Sequence, residues 1–184
     1  GFSYAFGFPP IRTLILIVGL ISLFGMPFSV MLPVFARDIL QGEANTLGYL
    51  MGSSGLGALS GALFLAQRKS VVGLGKVIVF TMALFGTALM AFSFSEVLWL
   101  SLVWMLFAGF GMIVPMASCS TLLQTLVDDD KRGRVMSLYA TAFMGMAPLG
   151  SMLAGSVAEQ IGVAYTLLGC GFLCAISVIP FAWN

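Results

Sequence analysis

The 184-residue chain is 60% hydrophobic and only 8% charged, with a formal net charge of +1. A soluble domain carries about 25% charged residues, so a water-solvated core is excluded, and the small charge without a long basic run excludes a nucleic-acid footprint or a polybasic lipid-binding tail. Several apolar runs reach the roughly 18–20 residues that cross a bilayer core of about 30 Å as a helix, which makes the bilayer the solvent.

The chain opens Gly1-Phe2-Ser3, with no initiator methionine, charged n-region or cleavage site, and reads as a piece of a longer polypeptide. Residues 1–12 are aromatic but too short to span, and are expected as an interfacial linker ahead of a bundle over 13–184. The first span is expected over Thr13–Ala36, interrupted by Pro27 and Pro33 and closed by Arg37-Asp38. Span two, Thr46–Ala66, carries Gly52, Gly55, Gly57 and Gly61 and ends at Gln67-Arg68-Lys69. Span three follows over Val71–Ser93, its one charge, Lys76, placed where a long stem reaches the headgroups. The fourth, Val97–Val127, contains Pro115 and leads into the charged loop Asp128-Asp129-Asp130-Lys131-Arg132-Gly133-Arg134. Spans five and six are expected over Val135–Ala158, with Pro148 inside, and Val163–Trp183. The fold class is therefore an all-α integral membrane bundle of six transmembrane helices. Continuous apolar runs without period-two alternation argue against a β-barrel.

Orientation follows from lysine and arginine placement. Arg12, Arg68, Lys69, Lys76, Lys131, Arg132 and Arg134 fall on one side and Arg37 alone on the other, seven against one. That asymmetry puts both ends of the chain in the cytoplasm and the protein in the cytoplasmic membrane, the inner membrane where a cell has two.

Two segments echo each other. Met51-Gly52-Ser53-Ser54-Gly55-Leu56-Gly57 and Met144-Gly145-Met146-Ala147-Pro148-Leu149-Gly150 share M-G-x-x-x-L-G at an offset of 93 residues, one three-helix unit. Because three is odd, the second unit would be inverted relative to the first.

Cys119, Cys170 and Cys174 sit in apolar runs, and the chain has no histidine and no C-x-x-C. They read as small core residues; no metal site, cofactor or disulfide framework is expected, and no nucleophile–base pair suggests an enzyme. Prolines in spans one, four and five free backbone carbonyls, which membranes tolerate beside protein or a water-filled cavity. Ser29, near one such break, and Ser118, Thr121 and Gln124 on span four are the substrate-cavity candidates; hydrogen bonding between helices is the competing reading of these polar side chains. No Asp, Glu or His falls at the middle of a span, so no proton carrier is visible.

The stretch Leu32-Pro33-Val34-Phe35-Ala36-Arg37-Asp38, then Leu47-Gly48 with Gly55-Leu56-Gly57-Ala58-Leu59, and Arg132-Gly133-Arg134-Val135-Met136-Ser137-Leu138-Tyr139 resemble helices seven to eleven of major facilitator superfamily proteins, in the enterobactin-exporter-like and macrolide-efflux-like branch. The resemblance covers nearly the whole chain and implies the carboxy-terminal half of a twelve-helix transporter, two inverted three-helix repeats, with the amino-terminal half as its partner. It further implies export of an amphipathic siderophore or drug by alternating access, coupled to protons through the other half. Arg132 and Arg134 would join a cytoplasmic gate; the competing reading of the loop is helix capping and topology. Gly57, Gly61, Gly145 and Gly150 would pack against the other half or, alternatively, within this one. Gly145 to Gly150 is also similar to a degenerate antiporter signature. Lipid or lysolipid transport, and a six-helix scaffold without transport, are the other functions open to such a chain.

The seven-to-one asymmetry predicts that a cysteine introduced at Asp129, in a background without native cysteines, resists an impermeant reagent applied to intact cells, while one introduced at Glu43 is labelled. Labelling of Asp129→Cys from outside would reverse the orientation.

Overall fold

The computed structural model describes residues 7–182, and among them six helices are long and apolar enough to cross a membrane: Pro9–Asp38, Ala44–Ala66, Leu74–Ser93, Leu98–Leu126, Asp129–Ile161 and Val163–Ala182. Four boundaries lie close to the expected ones; those of spans one and five do not.

Span one starts at Pro9. Proline suits a first helical position, where its fixed φ is already helical and its missing N–H would have had no partner. Ile11 is fully buried, so Pro9–Arg12 belong to the bundle, not to a linker; residues 1–6 of the expected linker lie outside the described residues. The helix then widens into a π-turn over Ile21–Gly25 and resumes at Pro27. Pro27 has no N–H to offer the carbonyl of Leu23, and a π-turn is a common way to absorb such a defect. Pro33, Pro115 and Pro148 lie inside helices that continue through them.

Span five begins at Asp129, six residues before the expected start, because the charged stretch is helical and not a loop. The carbonyl of Asp128 accepts from the N–H groups of Lys131 and Arg132, both at 3.0 Å. Asp129 and Asp130 occupy the first turn, where the helix dipole favours negative charge. With 33 residues the helix is about 50 Å long, well beyond a core of about 30 Å, so its charged turns can reach past the hydrocarbon.

Glycines decide how the spans meet. Span two packs on span four, which packs on span three, which packs on span six; span one lies against spans five and six. A Cβ on Gly57 would overlap the carbonyl of Leu106, one on Gly109 that of Ser54, and one on Gly61 would come within 2.7 Å of the Ile113 side chain. Between spans three and six, Gly86 and Gly171 face each other, a Cβ on either coming 2.5–2.6 Å from the other's carbonyl oxygen. On span five, a Cβ on Gly150 would overlap the carbonyl of Leu23. Small residues permit this approach in a bilayer, where no hydrophobic force drives helices together.

These contacts make the internal repeat physical. Gly57 and Gly150 close the two M-G-x-x-x-L-G segments, and each seats against a carbonyl of the helix two spans on from span two or, by the same three-helix shift, of span one. Gly52 and Gly145 open the same segments, and a Cβ on either meets nothing within 4 Å. Two apolar clusters fill the interior: Phe28, Phe35, Phe85 and Phe92 towards the Asp38 end, and Ile11, Ile15, Ile78, Cys119 and Leu123 towards the basic end. All three cysteines are buried thiols within the spans.

Gly57→Leu and Gly150→Leu should each lower stability by at least about 1–3 kcal/mol, the usual cost of overpacking. Gly52→Ala and Gly145→Ala should be close to neutral. Thermal unfolding of the purified protein in detergent checks both pairs.

Candidate functional site

Four of the spans bury between a third and just over a half of their most apolar stretch, but span two buries 17% of it and span five 11%. These two helices each turn one face into the bundle and leave the other uncovered. On span two the uncovered face carries Gly48, Gly52 and Gly55, none of which would meet anything within 4 Å if given a Cβ. On span five it carries Thr141, Gly145 and Pro148, the positions 93 residues later.

A cavity of about 440 Å³ runs between spans one and five beside this face, walled by Leu16, Gly19, Leu23, Thr141, Gly145 and Met146 among others. Its two glycines make the room, and Gly19 sits so that a Cβ would be 3.9 Å from Cγ of Met146. Thr141 brings the one polar side chain in the wall, and its hydroxyl donates to the carbonyl of Ser137 at 2.8 Å. The wall is therefore apolar and, through Met146, adaptable in shape. A second cavity of about 520 Å³ lies at the opposite end of span one, where Asp38 and Glu159 join Val30, Val34, Ile39 and Val163. Asp38 is held there by Nε of Arg37 at 2.7 Å, an exposed pair of neighbours that contributes little to stability.

The sequence-selected polar residues do not form one cluster. Ser29 is exposed and donates to the carbonyl of Met26 at 2.8 Å, beside Val30 of the Asp38-end cavity. Ser118 and Thr121 line a cavity of about 130 Å³ at the basic end, with Arg68, Lys69 and Ser70. Gln124 is exposed outside that cavity and donates to the hydroxyl of Ser120 at 3.0 Å. Thr121 and Thr125 donate to carbonyls one turn back on their own helix, Ala117 at 2.9 Å and Thr121 at 2.8 Å. Hydroxyls that close on their own backbone need no neighbouring helix, which lets them stand on an apolar surface.

Three of the four glycines expected at the junction with another half are committed inside this one. Gly57 and Gly61 lie against span four and Gly150 against span one, close enough that no outside helix could reach them. Gly145 alone remains on the uncovered face. At the start of span five, Nη2 of Arg132 pairs with Oδ1 of Asp129 at 2.6 Å and Nζ of Lys131 with Oδ2 of Asp128 at 3.5 Å. Arg134 is exposed and forms no ion pair among the described residues.

Sequence reasoning passed over Thr141. The available signal was its spacing: Ser137, Thr141 and Gly145 recur at intervals of four and so share one face of span five. It also missed Ser22, buried in the π-turn, whose hydroxyl donates to the carbonyl of Phe143 and ties span one to span five beside the cavity.

Comparison with known proteins matches this architecture. The transmembrane secretion effector family of major facilitator proteins matches residues 1–182. The chain is 25% identical to the staphyloferrin A transporter of Staphylococcus aureus over 166 residues, 88% of this chain and 41% of that protein. It is 28% identical to the multidrug efflux pump Tap of Mycolicibacterium fortuitum over 171 residues, 91% of this chain and 41% of that one. An uncharacterised transporter of the same type from Bacillus subtilis is 24% identical over 184 residues, 97% of this chain and 45% of the relative. The chain thus spans about two fifths of the length of these relatives. With six helices long and apolar enough to cross a membrane and a family match over nearly every residue, the chain belongs to the major facilitator superfamily of transporters.

Proposed function

We propose that the chain is the carboxy-terminal bundle of a secondary active transporter that exports an amphipathic small molecule of siderophore or drug type by alternating access. The observation that carries this reading is the uncovered face shared by spans two and five, with the 440 Å³ cavity between spans one and five beside it. Gly48, Gly52, Gly55 and Gly145 leave that face shallow enough for a second bundle to approach and rock against it. The amino-terminal bundle is the proposed partner. An apolar, methionine-bearing wall with one hydroxyl suits a cargo that is largely apolar and variable in shape. The names of two relatives, a staphyloferrin A transporter and a multidrug efflux pump, support this cargo class. Energy would come from a proton gradient through the partner bundle, since the cavity wall offers no carboxylate among the described residues.

Both ends of the chain would face the cytoplasm. The first turns of span five would then form part of an inner gate: Arg132 is held by Asp129, and Arg134 is presented outward for a carboxylate of the partner bundle. The nearly apolar wall also supports a second reading, movement of a lipid or lysolipid.

Reconstitution in liposomes tests the proposal. Gradient-driven drug flux should need the amino-terminal bundle as well as this chain, and flux from the strictly monomeric chain alone would overturn the half-transporter reading. Lysolipid flux without drug flux would favour the second cargo. Replacing both arginines in the complete transporter, Arg132→Ala with Arg134→Ala, should cut flux about tenfold if the contact of Arg134 with the partner bundle contributes about 1.5–3 kcal/mol to the closed gate, the exposed Arg132–Asp129 pair adding little. Insertion should be unchanged, and full flux in that variant would leave the arginines a topological role only.

A further inference from the structure

The small cavity at the basic end differs in kind from the apolar ones. It measures about 130 Å³ and is lined by Leu65, Arg68, Lys69, Ser70, Val71, Leu74, Ser118 and Thr121. Three separate stretches build it: the end of span two, the turn into span three, and span four. Ser118 is 1% exposed, and its hydroxyl oxygen is a buried side-chain polar atom with no hydrogen-bond partner among the described residues. Leaving such a group unpaired costs about 1–3 kcal/mol, so it points to a ligand or water.

The inventory of donors indicates which. The hydroxyl oxygen of Ser70 accepts from the N–H of Val72 at 3.1 Å, which leaves its own proton to donate. Arg68 gives one N–H, from Nη2, to the carbonyl of Val72 at 3.1 Å and keeps four of its five. That bond folds the guanidinium back over the turn, which Gly73 allows by its positive φ of 80°. Lys69 adds an ammonium. Neither cation forms an ion pair among the described residues, and no carboxylate lines the cavity. The hydroxyl proton of Thr121 is spent on Ala117. A site with two positive charges, two free hydroxyl donors and no anionic acceptor calls for an oxyanion. A single water in the cavity would accept from only two of those donors and carries no charge to match the two cations.

We propose that this cavity binds a phosphate group, with Arg68 and Lys69 neutralising its charge and Ser118 and Ser70 donating to its oxygens. The group belongs either to an anionic lipid headgroup or to a free phosphate compound. The site is independent of the export reading, because it lies away from the cavity between spans one and five and uses none of its residues.

The test is thermal unfolding of the intact protein in detergent micelles, titrated with dioctanoyl-phosphatidylglycerol, dioctanoyl-phosphatidylcholine or inorganic phosphate. Saturable stabilisation by phosphatidylglycerol and not by phosphatidylcholine is the expected result and identifies a lipid headgroup; an equal shift with inorganic phosphate identifies a free oxyanion. In either case Arg68→Gln and Ser118→Ala should each weaken apparent affinity about tenfold while the ligand-free protein still unfolds cooperatively. Lys69→Gln, at an exposed position, is the check should either variant fail to fold. Equal stabilisation by the two lipids, no shift with any probe, or a shift that survives the variants would overturn the proposal.

Discussion

Backbone-to-backbone contact at two glycines is the constraint on which the bundle rests. Gly57 lies on the carbonyl of Leu106 and Gly150 on that of Leu23, with no room in either place for one methyl group. In a bilayer the lipid tails are as apolar as leucine, so helices gain by touching closely and not by hiding from the solvent. The second contact falls where the chain is already perturbed. Leu23 sits in the π-turn and has lost the N–H that residue 27 would have offered, because that residue is proline. Gly150 covers this carbonyl, and Ser22 donates across to Phe143 from the same turn. The defect in one helix is thus the docking point for another.

From this pairing follows which faces of the bundle stay open. Once span two has committed Gly57 and Gly61, and span five Gly150, to an inner neighbour, their other faces stay uncovered, and the glycines there remain open. The same helix therefore carries two kinds of glycine, one set closed on its own bundle and one set free. A face that must slide against a partner benefits from small side chains; a face that must not move benefits from direct backbone contact. The cavity between spans one and five opens between these two kinds of surface.

Charge is segregated just as sharply. Among the described residues, the two cations between spans two and three pair with no carboxylate, whereas Asp128 and Asp129 at the start of span five take up Lys131 and Arg132 locally, and Asp129 and Asp130 favour the helix start. The first arrangement leaves positive potential available to a ligand; the second consumes it in the fold. Composition treats the two clusters alike, and only the counter-charges separate them.

How much of this was legible in the sequence follows from the range of each interaction. Hydropathy settles at the scale of one helix, so six spans, their order and the basic side could be read from runs of apolar residues and the placement of Arg68, Lys69 and Lys131. The repeat was legible too, since Gly57 and Gly150 recur in the same seven-residue pattern. Three things were not. Asp129–Arg134 looked like a loop by charge, but local capping and i,i+3 pairing make it helix. Gly57, Gly61 and Gly150 looked available to another bundle; which side of a glycine faces a neighbour depends on helix rotation, and a small side chain carries no signal of it. Ser118, Thr121 and Gln124 looked like one set on span four, yet the structure sets the first two beside Arg68 and leaves Gln124 outside, because the cavity is closed by a turn about fifty residues away in the chain. What the sequence determined by itself was how the chain partitions into the membrane, a sum over single residues; what only the tertiary structure decided was which small and polar side chains meet, because that depends on the rotation and contact of helices distant in sequence.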